Sequence, residues 1–151
     1  MAKFYTNDGP YIAEAMKNHL NAWPKKPCEI RLEDLQKDGV SMMLQQLANA
    51  EKRRPYIDGS YLGVWSFAVY VHIQAEDTAA RLDATGCLWE LAEWLREKDH
   101  SGNFVRLPVI DEQRQAVKID LTNTPSIAAR YEDDSEDYQA LFELEYKFHR
   151  R

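Results

Sequence analysis

This chain is short of thiols and of turn-forming backbone: its 151 residues include 2 cysteines, 6 glycines and 6 prolines. Cys28 and Cys87 are too few and too far apart for a zinc cluster or a disulfide framework. Two reduced, partly buried thiols are expected instead, as suits synthesis in a cytoplasm. The glycines form no phosphate-cradling loop, and no G-x-S-x-G, H-E-x-x-H or C-x-x-C pattern occurs. No window approaches the ~20 apolar residues of a membrane span. The opening Met-Ala-Lys-Phe-Tyr-Thr-Asn has no basic stretch leading into an apolar run, so neither export by a signal nor a lipid anchor is expected. Cations are the minority charge: 19 Lys and Arg against 25 Asp and Glu give a formal net charge of -6. That balance argues against general affinity for nucleic acid.

What is present is ordinary for a globular domain, with 44% hydrophobic and 29% charged residues. The length suits one domain, residues 1–151, able to bury on the order of two thirds of its unfolded surface. Asp8 is placed to cap a helix starting near Pro10, in which Ile12, Met16, Leu20 and Trp23 share one face; Pro24 stops it. Cys28–Leu32 alternates as a short strand, and Met42–Leu47 is a weaker strand after an Asp38-Gly39 turn. Residues 49–60 read as an exposed loop or arm. Tyr61–Gln74 alternates as the longest strand, with Tyr61, Trp65, Phe67, Val69, Val71 and Ile73 on one face. Asp77 caps a second helix to about Lys98 that points Leu82, Leu88, Leu91 and Leu95 inward. Val117–Leu121 and Ile127–Tyr131 follow as strands separated by Thr122–Pro125. The chain closes on the aromatic-rich strand from Tyr138 to His149. This order predicts an α+β fold, two helices packed on a largely antiparallel sheet of about five to six strands.

Candidate functional residues are sparse. His19, His72, His100 and His149 have no second ligand at helix or strand spacing, so each reads as a surface or satisfied histidine. Neither a metal nor a cofactor is expected. Glu132, Asp133, Asp134, Glu136 and Asp137 lack the glycine-turn spacing of a calcium loop and read as a solvated turn. Lys52, Arg53 and Arg54, beside Tyr56, read as a loop or a protein-docking patch rather than a DNA site. Among the tryptophans, Trp89 lies off the leucine stripe of its helix and is the natural exposed anchor for a partner.

The run Tyr61-Leu-Gly-Val-Trp-Ser-Phe-Ala-Val-Tyr-Val-His72 is followed by Leu88-Trp-Glu-Leu-Ala-Glu-Trp-Leu95, Ile119-Asp-Leu-Thr-Asn-Thr-Pro-Ser126 and Asp137-Tyr-Gln-Ala-Leu-Phe-Glu-Leu-Glu-Tyr146. Together these segments resemble the minor capsid, or tail-terminator (tail completion), proteins of long-tailed bacteriophages. The resemblance implies a non-enzymatic virion protein of the tail or neck, made in the bacterial host cytoplasm. It implies a ring, typically a hexamer, that caps the tail tube, stops its growth and docks to the head connector. The implied partners are further copies of the chain, the tail-tube protein and the head connector protein, with DNA only passing through and no membrane involved. A ring of this kind needs two complementary patches, and the cations at Lys52–Arg54 with the acids at Glu132–Asp137 supply opposite charge. Two other readings stay open. One is a small cytoplasmic, dimeric α+β binding module for a small molecule or protein. The other is an enzyme using carboxylates such as Asp77, Glu90 or Glu93.

Overall fold

The structure, a computed structural model, describes residues 4–35, 39–74 and 77–150. The chain runs through β1 (Phe4–Tyr5), α1 (Gly9–Asn21), β2 (Ile30–Leu32), β3 (Ser41–Gln46) and β4 (Glu51–Pro55). It continues through β5 (Tyr61–Gln74), α2 (Thr78–Leu95), β6 (Arg114–Arg130) and β7 (Ser135–Phe148). This is the expected α+β arrangement of two helices on a largely antiparallel sheet. Among the described residues β1 and β4 bring the sheet to seven strands.

β5 organises everything. Its inward residues Trp65, Phe67, Val69 and Val71 are at most 1% exposed, because alternation places every second side chain on the helix-covered face. Along one edge it pairs with β7 over its whole length, from Tyr61↔Phe148 to Gln74↔Ser135. Its other edge is shared: β4 takes Tyr61–Val64 and β3 takes Phe67–His72. β6 extends the sheet beyond β7, β2 beyond β3, and β1 beyond β4. The closing strand is thus interior to the sheet, with Phe142, Leu144 and Tyr146 fully buried. Phe67 stacks on Phe142 with ring centroids 5.1 Å apart.

The helices follow their sequence pattern with one exception. Ile12, Met16, Leu20 and Trp23 are all buried, as are Leu88, Leu91 and Leu95. Leu82, expected inward, is 65% exposed and lines a groove instead of joining the core. Asp77 caps α2 as expected, its Oδ1 accepting from Ala80 N at 2.9 Å.

Other expectations change. Residues 51–55 form β4 rather than a loop, since Lys52, Arg54 and Pro55 pair with Gly63, Leu62 and Tyr61. β2 and β3 pair in parallel, Ile30 opposite Met42, not as a hairpin; Asp38 of the expected turn lies outside the described residues. The two short strands expected after Val117 are one strand, β6. Register shifts at Leu121/Asn123 and Asn123/Ser126 absorb the Thr122–Pro125 segment that read as a break. The acidic segment is only partly a solvated turn: Glu132, Asp133 and Asp134 are exposed, but Glu136 and Asp137 belong to β7 and are buried.

Candidate functional site

Because β5 and β7 are antiparallel and equally long, the β4–β5 turn and the β6–β7 turn lie at opposite ends of one ladder. At 14 residues per strand the ladder spans roughly 45 Å. The two ends differ in chemistry.

At the first end the turn after β4 is rigid: Tyr56 N donates to Ser60 O at 2.8 Å, and Gly59 N to Tyr56 O at 3.1 Å. Gly59 has φ +91, a conformation that favours glycine. Ile57 at the tip is completely exposed, at 108% of its reference area. Cations gather beside it. Lys52 lies 4.6 Å over the Tyr61 ring and Lys147 lies 5.6 Å over the Tyr56 ring. Arg53 reaches Glu51 and Glu143 only at 4.0 Å. The strand pairing that the sequence reading missed is what sets Lys52, Arg53, Arg54 and Tyr56 on a fixed arm.

Beneath this end lies a carboxylate network that the sequence did not reveal. Asp8 stands at the α1 N-terminus, but its side chain does not cap the helix. It accepts instead from the Tyr61 hydroxyl, from Tyr146 at 2.6 Å, from Arg114 Nε at 2.7 Å and from Thr6 at 2.9 Å. Burial opposes its ionisation. The hydrogen bonds from Tyr146, Tyr61, Arg114 and Thr6 outweigh that and hold its pKa below the ordinary carboxylate value. Burial and the Asp8 charge push the Tyr61 phenol up to about 12. Arg114 also meets Asp111 at 2.7 Å and lies 4.4 Å over the Tyr11 ring. One clue was available in sequence: Tyr146 sits in an inward row of apolar residues, where a phenol needs a buried partner.

The opposite end carries Glu132, Asp133 and Asp134 at the surface and two buried carboxylates behind them. Glu136 accepts from Arg81 and Arg130, both at 2.9 Å, and from the Tyr138 hydroxyl at 3.1 Å. Asp137 accepts from His72 Nδ1 at 2.5 Å and from the Tyr131 hydroxyl at 2.5 Å. His72 is therefore a buried, oriented histidine rather than a surface one. Its Nε2 is buried and has no hydrogen-bond partner among the described residues. Ser41 stands opposite His72 as Asp137 does, yet makes no hydrogen bond to Nε2. A carboxylate-held imidazole thus lacks the serine contact that would make the row a nucleophile-activating triad.

At the same end a groove of about 590 Å³ opens between α2 and the sheet. Its walls include Trp23, Val40, Val71, Ile73, Ala80 and Leu82. Asp83 and Glu90 contribute acids, and Lys25 is the cation among the described lining residues. Cys87 lines it too; burial, with Cys28 and Glu90 nearby, pushes its thiol up to about 11, so the thiolate is scarce at neutral pH. Trp89, the expected anchor, is 41% exposed on α2 and does not line this groove.

The structure therefore does not bring together Lys52–Arg54 and Glu132–Asp134; it holds them at opposite ends. No helix among the described residues is long and apolar enough to cross a membrane. No family model matches the chain, and comparison with curated proteins gives no match.

Proposed function

We propose that this chain is a structural subunit of a long-tailed bacteriophage virion, a tail-terminator or head-tail joining protein. It assembles head to tail into a ring that caps the tail tube and docks to the head connector. The family resemblance of the sequence supplies the place in the virion. One structural observation carries the assembly: two patches of opposite charge, the arm at Lys52–Arg54 and the turn at Glu132–Asp134, fixed at opposite ends of one rigid ladder. Patches that cannot meet within a subunit satisfy each other between subunits, and repetition by rotation closes a ring. Complementary charge would steer that encounter. In this reading the protein works by shape and charge, and DNA passes its acidic surface without being held.

The test is the mass of the purified protein by light scattering over a wide concentration range, with negative-stain images. Closed rings, six subunits each, are expected. A stable dimer at every concentration, or tight salt-sensitive binding of duplex DNA, would overturn the reading. The groove beneath α2 favours a second reading, the dimeric binding module, which predicts that dimer together with a ligand-induced rise in melting temperature.

A further inference from the structure

We propose that the β4–β5 hairpin tip of one copy, anchored by Ile57, seats in the groove beneath α2 of a neighbouring copy. This rests on the ring reading above and supplies the apolar contact that reading lacks. An isoleucine exposed at 108% at the apex of a hydrogen-bonded turn contributes nothing to its own subunit's core. Tyr56 beside it is 39% exposed, so the tip is an apolar knob already ordered before it binds.

The groove is the matching hole. Its volume of about 590 Å³ holds several side chains, and Leu82 and Val40 on its walls are 65% and 52% exposed. A subunit cannot fill its own groove, because hairpin and groove lie at opposite ends of β5, roughly 45 Å apart. The charges agree in sign as well. Arg53 and Arg54 flank the tip while Asp83 and Glu90 line the groove, and Asp58 within the tip has Lys25 to meet. Knob and hole are different surfaces, so the contact is heterologous and propagates around a ring.

Two substitutions separate contact from fold. Ile57→Asp removes the knob at a fully exposed site. Gly86→Leu fills the hole, since a Cβ at Gly86 meets no atom within 4 Å and its helical backbone accepts any side chain. Each variant should keep the wild-type melting temperature and raise the concentration needed for assembly by at least about tenfold. Mixed one to one, they should form a pair that grows no further, because the Gly86→Leu copy still offers a tip and the Ile57→Asp copy still offers a groove. An Ile57→Cys/Leu82→Cys variant in a Cys87→Ser background should oxidise to a ladder of covalent oligomers. Wild-type rings that persist in both single variants would overturn the contact and leave the ring standing. A wild-type dimer abolished by both variants would support the contact and overturn the ring. Absence of any cross-linked species at the highest concentration would overturn the contact.

Discussion

The two ends of the β5–β7 ladder each bury carboxylates, but they satisfy them in different ways. Asp8 is held by Tyr61, Tyr146 and Arg114, and the side chain of Arg114 is itself only 10% exposed. Glu136 is held by Arg81 and Arg130, whose side chains are 44% and 71% exposed. In the first case donor and acceptor are both withdrawn from water, so losing one strands the other. In the second the cations return to solvent freely. The first network locks α1, β5, β6 and β7 together; the second pins the start of β7 to the start of α2 and the end of β6.

The contrast can be broken most directly by truncating each carboxylate. Asp8→Ala leaves Arg114 Nε and two phenols without the carboxylate they share and should cost about 3–5 kcal/mol, read by chemical denaturation. Glu136→Ala should cost only about 1 kcal/mol. Its penalty should also shrink as salt is raised, whereas that of Asp8→Ala should not. Equal losses for the two would remove the distinction.

Gly63→Ala sharpens the first network. Gly63 faces Tyr146, and an added Cβ would lie 2.4 Å from its Cζ, so the phenol must leave Asp8. A loss of about 1–3 kcal/mol is expected, read as a lower midpoint with an unchanged denaturant slope. An unaffected midpoint would show that Tyr146 moves without cost.

The pH dependence separates the groups further. The folded pKa values of Asp8, Asp111 and Glu136 are lowered, so the unfolded chain takes up protons first. Their stabilisation is complete above the ordinary carboxylate values of 3.8 to 4.5 and falls as acid titrates through the lower folded values. His19 is also lowered, by burial and then by Arg106, so its loss starts earlier, below the ordinary histidine value of 6.5. Tyr61 and Tyr146 are raised by burial and Asp8, so their stabilisation is complete below pH 10 and fades as pH climbs through the higher folded values. Melting temperature against pH should therefore decline in two acid steps. His19→Gln should remove the upper, smaller one.

Legibility in the sequence followed chain distance. The β5 alternation, the α1 stripe and the Asp77 cap are repeats or neighbours within a few residues, and the structure keeps them. The hairpin at Asp58-Gly59 falls within the segment that reads as an exposed loop, although that dipeptide favours a tight turn. The cationic run before it hid the strand, because Lys52–Arg54 show no apolar alternation and only their pairing with β5 makes them a strand. The networks were hidden for another reason. Asp8 meets Arg114 across 106 positions and Tyr146 across 138, and His72 meets Asp137 across 65. No local pattern encodes those pairings. Asp8 was positioned for two roles, helix cap or buried acceptor, and packing against β5 and β7 selected the second.

The sequence by itself determined the α+β class, the helices and the two 14-residue strands β5 and β7, because 2-residue and 3.6-residue periods of apolar side chains are local properties of the chain. Only the tertiary structure decided that β2 and β3 run parallel, that β6 is one strand, and that the basic arm and acidic turn stand at opposite ends. Those outcomes depend on register along β5 and on which distant polar groups satisfy one another when water is excluded, and both are settled only when the whole sheet has formed.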